Sequence, residues 1–197
     1  MINEVHFNDT LVFTKNDKQY SNLIFSKMPI DRTGRLVIGI SGCSGSHKSE
    51  TAYTLRKKLG RVGIIAEIFS LDRCYKVEPE ERNKARKKDG IIGIKELDIV
   101  HIYESIADYK ENLIFPYAQV FIVEGLYACG LCGIDIKFHI DSNIDSTSEF
   151  RFDRKKEIIN DFREYVLQKE YESVMSLKNK ADYILTLDGE IICQSNQ

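Results

Sequence analysis

The sequence predicts a three-layer α/β domain in which helices cover both faces of a mostly parallel β-sheet. Short apolar runs alternate along the chain with segments of helical spacing, as they do when crossover helices connect parallel strands. The first of these runs, 36–40, passes directly into a glycine-rich loop and then into a helical segment. No internal repeat or low-complexity linker divides the 197 residues, so we expect a single domain over 1–197.

Composition and charge indicate a globular protein that is not adapted to bind nucleic acid or to span a membrane. Hydrophobic residues make up 43% of the chain and charged residues 29%, which is the globular range. The net charge of −2 gives no basic field for nucleic acid, and no segment approaches the roughly 20 apolar residues that span a bilayer. Five scattered cysteines favour free thiols in a reducing compartment. We therefore expect a cytoplasmic protein without nucleic-acid or membrane partners. Whether the chain forms a homo-oligomer is left open.

The first 34 residues are predicted to be an extension of the main domain. Apolar and polar residues alternate on both sides of Asn8 and Asp9, which indicates a β-hairpin. A turn between Pro29 and Gly34 follows. We interpret 1–34 as an N-terminal hairpin extension without chemistry of its own, placed before a core over 35–188.

The next segment is a buried strand that ends in a phosphate-binding pattern. Leu36 to Ile40 is nearly continuous in apolar residues, and Ala52, Leu55 and Leu59 fall at helical spacing after the loop. The loop differs by one residue from the Gly-x-x-x-x-Gly-Lys-Ser/Thr pattern, whose backbone N–H groups wrap a polyphosphate. We expect the nucleotide to lie against Gly42, Cys43, Ser44, Gly45, Ser46, His47, Lys48 and Ser49.

Two side chains of this loop have expected roles of their own. Lys48 should reach the β- and γ-phosphates of ATP, and the Ser49 hydroxyl should take a Mg²⁺ position. His47 stands where the pattern has glycine, at a position that favours positive φ. Histidine tolerates the left-handed region better than most residues, so the loop can form. The ring could then lie beside the phosphates or crowd the nucleotide, and both alternatives stay open.

The remaining elements follow in alternation. Strands are expected at 63–70, 119–123, 135–141 and 181–187, and helices at 95–109 and 149–180. The segment 79–89 is almost entirely polar, and we interpret it as a solvated helix or excursion rather than a polyanion site.

Two carboxylates come at the ends of predicted parallel strands. Asp72 follows the strand 63–70, and Glu124 ends the strand that begins at Gln119. Ligands of open α/β sheets bind along this carboxyl edge. Asp72 can accept the proton of a substrate hydroxyl there, although an Asp that opens a turn is the commoner role. Glu124 stands where Mg²⁺ could be held together with Ser49.

Four segments resemble the family of uridine kinases and phosphoribulokinases. They are the glycine loop from Ser41 to Ser49, the run Asp72-Arg73-Cys74-Tyr75-Lys76, the strand that ends in Glu124-Gly125, and Ala181-Asp182-Tyr183-Ile184. The order and spacing of these motifs match over roughly 35–188. The resemblance implies a P-loop fold of the nucleoside-monophosphate-kinase type and transfer of the ATP γ-phosphate to a small-molecule hydroxyl.

The resemblance also implies roles for individual residues. Asp72 would be the catalytic base, and Lys48, Ser49 and Glu124 would serve ATP and Mg²⁺. Tyr75 and Arg73 would lie with Asp72 at the acceptor. A basic lid near 149–165 should close over the phosphates, with Arg154 and Arg163 as candidates to clamp the transferring phosphoryl group. A solvated helical face is the alternative interpretation of these arginines.

The predicted function is therefore an ATP- and Mg²⁺-dependent kinase that acts on a small-molecule alcohol, with a nucleoside as the first candidate acceptor. Uridine kinases carry a Pro-x-Tyr-Asp and His-x-Arg segment that grips the nucleoside, whereas this chain has only Leu113 to Ala118 there. This difference and His47 favour a second hypothesis, a nucleotide-binding sensor or partner module that has lost turnover. A polynucleotide kinase is a weaker alternative because the chain has no basic stripe with interleaved aromatic residues.

Overall fold

The computed structural model describes residues 3–6, 9–29, 34–153 and 160–194. The helices and strands, in chain order, are β1 (Asn3–His6), β2 (Asp9–Val12), α1 (Lys15–Lys27), β3 (Leu36–Gly42), α2 (Lys48–Arg61), β4 (Ala66–Ser70), α3 (Pro79–Asp89), α4 (Ile99–Lys110), β5 (Val120–Glu124), β6 (Ile136–Ile140), α5 (Ser148–Asp153), α6 (Asp161–Met175), β7 (Tyr183–Leu185) and β8 (Ile191–Cys193).

The main sheet has six strands in the order β4-β5-β3-β6-β7-β8. The first five run parallel, and β8 pairs antiparallel with β7 at the edge. The predicted α/β class with a mostly parallel sheet is thus confirmed. Because β3, β4 and β5 are parallel neighbours, their carboxyl ends lie along one edge of the sheet, where ligands of such folds bind.

Helices pack on both faces of this sheet, as the inward-pointing residues of the strands show. Ile38 and Ile40 of β3 join one apolar cluster, which includes Leu55 of α2. Val37 of β3 points to the other face and joins a cluster that includes Tyr109 of α4. All five side chains are fully buried, and burying a large apolar side chain contributes about 1.5–3 kcal/mol. The two clusters hold β3 rigidly, and therefore fix the start of the glycine loop.

The N-terminal extension contains a helix as well as the predicted hairpin. β1 and β2 pair antiparallel, with Asn3 opposite Val12, which confirms the hairpin. Residues 15–27, however, form α1 instead of belonging to the hairpin extension. Thr14 precedes this helix, and its backbone N–H and its hydroxyl both donate to Asp17 Oδ2. This capping arrangement satisfies helix-terminal groups and explains why a helix begins here.

The polar segment 79–89 is helix α3, one of the two expected alternatives, although its Arg86 is buried. Two other segments differ from the sequence-based expectation. The predicted long helix over 149–180 is divided into α5 and α6, and 154–159 lie outside the described residues. Strand β8 follows a turn at Gly189 and was not predicted. Among the residues that the structure describes, no helix is long and apolar enough to cross a membrane.

Candidate active site

The glycine loop connects the end of β3 to the start of α2 through a tight turn. Gly42 has a φ of 153°, and a Cβ atom there would lie 2.5 Å from Ser46 Oγ and 2.8 Å from the Ile140 carbonyl oxygen. Neither distance is compatible with a real side chain, so the first glycine of the pattern is required by close approach. The loop backbone is then free to turn towards the first N–H groups of α2, which attract anions.

His47 adopts the conformation that glycine usually provides in such a loop. Its φ is 66°, in the left-handed region, and it caps the N-terminus of α2. The ring lies between two neighbours: Nδ1 is 3.0 Å from Asp17 Oδ1, and the ring centroid is 3.7 Å from that of Phe150. The expectation that histidine allows the loop to form is thereby confirmed. Its contacts also hold the ring in place on the side of the loop that faces α1 and α5.

The N-terminal extension therefore forms one wall of the loop, although no sequence pattern predicts chemistry there. Asp17 is only 1% exposed and faces His47 across 30 residues of sequence. In addition, the backbone N–H of Val12 donates to Glu50 Oε1 of α2 at 3.3 Å. The Thr14-x-x-Asp17 spacing could have predicted the helix start, but its contact with the loop depends on tertiary structure.

Lys48, Ser49 and Glu124 are brought together where β3 and β5 end. Ser49 Oγ donates to Glu124 Oε2 at 3.1 Å, and Lys48 Nζ donates to the Cys43 carbonyl oxygen at 2.7 Å. Glu124 is 3% exposed. Burial first, and then the negative charge of Asp72, raise the pKa of Glu124 to about 7, while Lys48 and hydrogen bonds from neighbouring serines act in the opposite direction.

These oxygen atoms fit Mg²⁺. A hydroxyl and a carboxylate are hard oxygen donors, and Mg²⁺ in nucleotide sites takes one or two protein ligands and completes its shell with phosphates and water. No group of three or more His, Cys, Asp or Glu residues suited to a metal occurs in the described part of the chain. The pair of Ser49 and Glu124 therefore fits a metal that arrives with a phosphate better than a metal held by protein alone.

Asp72 lies at the same edge of the sheet, one strand away. It sits in a short 3-10 turn over Leu71–Arg73, directly after β4, and its side chain is exposed. Ser70 is the register partner of Glu124, and the charge of Asp72 contributes to the raised pKa of that glutamate. A Cβ on Gly125 would lie 2.6 Å from Leu71 Cβ, so this glycine lets the turn approach β5. The two predicted carboxylates thus lie at the same edge of the sheet, close enough for the charge of one to affect the other.

Arg73 and Tyr75 follow Asp72 and differ in their exposure. Arg73 is exposed in the same turn as Asp72. Tyr75 pairs by a backbone bridge with Leu97. Burial, followed by the charge of Asp72, raises the pKa of the Tyr75 phenol well above its usual value. The Tyr75 phenol is thus within electrostatic reach of the Asp72 carboxylate.

The predicted lid is described in part. Arg151 of α5 donates from Nη1 to the Ile144 carbonyl oxygen at 3.0 Å and to the Thr147 hydroxyl. A Cβ on Gly45 would come within 2.8 Å of Arg151 Cγ, so α5 lies against the glycine loop. Arg163, in the first turn of α6, has its Nη1 at 3.8 Å from Glu170 Oε2. Arg154 lies outside the described residues.

Structural comparison finds a similar fold in several solved kinases. D-glycerate 3-kinase from Cryptococcus neoformans is 13% identical at a TM-score of 0.56, over 92% of this chain and 97% of that one. A protein described as a possible uridine kinase from Bacillus stearothermophilus is 15% identical at 0.55, over 87% and 99%. Phosphoribulokinase from Rhodobacter spheroides is 12% identical at 0.57, over 77% and 70%.

Sequence comparison adds nothing to these likenesses, since neither a protein-family model nor a curated protein matches the chain. At such low identity the structural neighbours establish the fold alone. That fold is the P-loop kinase fold of the uridine kinases and phosphoribulokinases, as the motifs predicted.

Proposed function

We propose that this P-loop kinase fold transfers the γ-phosphate of ATP to a hydroxyl of a small molecule. The observation that carries the proposal is the meeting of Lys48, Ser49, Glu124 and Asp72 at one edge of the sheet, beside a glycine loop at a helix N-terminus. Structural neighbours whose names identify them as kinases of glycerate and ribulose phosphate support the general class. A chain that only bound nucleotide would have no physical need to keep all four of these residues.

Each residue has a proposed task in this reaction. The loop N–H groups and Lys48 bind the β- and γ-phosphates, and Ser49 and Glu124 hold Mg²⁺. Bound Mg²⁺ neutralises part of the phosphate charge. Asp72 takes the proton of the acceptor hydroxyl, and the oxygen of that hydroxyl forms a bond to the γ-phosphorus. At the same time the bond between the γ-phosphorus and the β–γ bridging oxygen breaks. The products are ADP and the phosphorylated acceptor.

Two arginines of the predicted lid, Arg154 and Arg163, also have proposed roles. Arg163, whose Nη1 lies 3.8 Å from Glu170 Oε2, and Arg154 keep their roles as predicted clamps on the phosphoryl group. The resemblance to uridine kinases makes a nucleoside the first acceptor to assay. The short 113–118 segment makes other sugar-bearing alcohols the second.

A second candidate function is a nucleotide-binding module without turnover. The contact of the His47 ring with Phe150 favours it, because the two rings lie where α5 meets the glycine loop and could restrict its motion. The two candidates differ in their products.

The test is a screen with γ-labelled ATP and Mg²⁺ over nucleosides, sugars, sugar phosphates and hydroxy acids. The kinase proposal expects label in at least one acceptor, at a rate well above the release of inorganic phosphate. Binding of ATP without any labelled acceptor would support the module and contradict the kinase.

A further inference from the structure

Helix α3 contributes a buried charged cluster to the acceptor side of the site. Arg86 donates from Nε to Glu96 Oε1 at 2.6 Å and from Nη2 to Glu96 Oε2 at 3.0 Å. Its Nη2 also donates to Glu170 Oε1 at 2.8 Å, and Arg163 approaches the same glutamate. The carboxylates of Glu96 and Glu170 thus both pair with the Arg86 guanidinium. Arg86 is therefore a structural residue, and its charge is not available to a ligand.

Arg82, one turn earlier on α3, has no such balance. Its guanidinium carbon lies 3.6 Å from the centroid of the Tyr75 ring, close enough for a cation–π contact. Its Nε is buried and has no hydrogen-bond partner, and no carboxylate of the described residues forms an ion pair with it. Arginine is a planar donor that suits bidentate recognition of carboxylate and phosphate. Arg82 is thus a half-buried cation without an ion-pair partner among the described residues.

Tyr75 connects Arg82 to the proposed base. Burial, and then the charge of Asp72, raises the pKa of the Tyr75 phenol, and the Arg82 guanidinium packs on the ring of the same residue. Tyr127 is a second group without a hydrogen-bond partner among the described residues: it is 1% exposed, and burial, followed by the charges of Glu170 and Glu96, raises its pKa. A buried polar group left unpaired costs about 1–3 kcal/mol, which a bound ligand can offset.

We propose that the acceptor is an anionic alcohol, whose phosphate or carboxylate group binds Arg82 while its hydroxyl faces Asp72. The inference rests on the proposed function, since it assigns the substrate class of the same site. It separates this chain from kinases of neutral alcohols: a nucleoside has no group that would neutralise Arg82.

Matched acceptor pairs test the class of substrate. ATP-dependent transfer is measured to D-ribose and D-ribose 5-phosphate, to glycerol and D-glycerate, and to a nucleoside and its 5′-monophosphate. We expect one anionic member to exceed its neutral counterpart in kcat/KM by about 10- to 100-fold, the effect of one charge-assisted hydrogen bond. The pair that shows the preference tells phosphate from carboxylate. Preference for the neutral members would overturn the inference and leave the proposed kinase intact, whereas a failure of every alcohol would overturn both.

Variants of α3 test the residue. Arg82→Gln should raise KM for the anionic acceptor about 10- to 100-fold and leave KM for ATP and transfer to the neutral counterpart unchanged. Arg82→Lys keeps the charge and should recover part of the loss. Lys84→Gln is the matched control, because Lys84 is exposed on the same helix and pairs with Glu81 at 2.8 Å. Equal losses with Arg82→Gln and Lys84→Gln, or a loss that is the same for charged and neutral acceptors, would refute the role of Arg82.

Discussion

Glu124 offers the sharpest test of the site because its environment opposes its charge. The carboxylate is 3% exposed, and burial and Asp72 raise its pKa from the ordinary 4.5 to about 7. The folded chain therefore holds this proton more tightly than the unfolded chain. Stability contributed by the protonated form is fully present below pH 4.5, is lost as the pH rises towards 7, and changes no further above it.

The size of the effect follows from the shift. About 2.5 pKa units at ~1.4 kcal/mol each correspond to about 3 kcal/mol of destabilisation once Glu124 is ionised. Glu124→Gln keeps the shape of the side chain and the acceptor for Ser49 but cannot ionise. In the absence of nucleotide and Mg²⁺, we expect this variant to be about 3 kcal/mol more stable than the parent at pH 8, and less than about 1 kcal/mol more stable at pH 5.

Equilibrium unfolding in urea at pH 5 and pH 8 measures the difference directly. Glu81→Gln serves as the control, because Glu81 is an exposed carboxylate on α3 and its loss should be independent of pH. Phosphate transfer should fall in Glu124→Gln although stability rises, as is common where function requires a buried charge. A Glu124→Gln variant that is no more stable than the parent at pH 8 would refute the assignment of a strained carboxylate to this site.

Two further predictions concern the wall of the glycine loop. His47→Gly should retain or raise turnover, since glycine adopts a φ of 66° freely and the variant lacks the ring that contacts Phe150. A tenfold decrease in the steady-state rate of transfer would instead indicate that the His47 ring takes part in the reaction. Asp17→Ala should lower the free energy of unfolding by about 1–2 kcal/mol, because the cap formed with Thr14 is lost. The decrease should be smaller in a His47→Gly background, because the side chains of Asp17 and His47 are in contact. A double-mutant cycle measured by urea unfolding would contradict this coupling if the two effects were strictly additive.

The parts of the site that the sequence predicts are those built from local patterns. Strand β3, the loop and the start of α2 are contiguous, so glycine spacing and apolar periodicity suffice to place Lys48 and Ser49. Asp72 and Glu124 were predicted because each ends a strand, and parallel strands bring their carboxyl ends to one edge. The four motifs extend this from local structure to the fold, as the likeness to solved kinases confirms.

The parts that escaped prediction depend on contacts between distant residues. Arg86 looks like one of many solvated charges in 79–89, because Glu170, which pairs with it, lies 84 residues away. Asp17 likewise meets His47 only after α1 packs against α2. The strand β8 is short and follows a turn at Gly189, so its three residues carry too little periodicity to be recognised. Periodicity describes one element at a time, whereas these contacts are decided by how elements assemble.

We propose that Asp72 removes the proton of the acceptor hydroxyl during phosphate transfer. The most direct measurement compares Asp72→Asn with the parent in single-turnover transfer from labelled ATP and, separately, in ATP binding by calorimetry. We expect the variant to bind ATP–Mg²⁺ within about threefold of the parent and to transfer phosphate at least ~100-fold more slowly, since only the general base is lost. Transfer at the parental rate would contradict the claim.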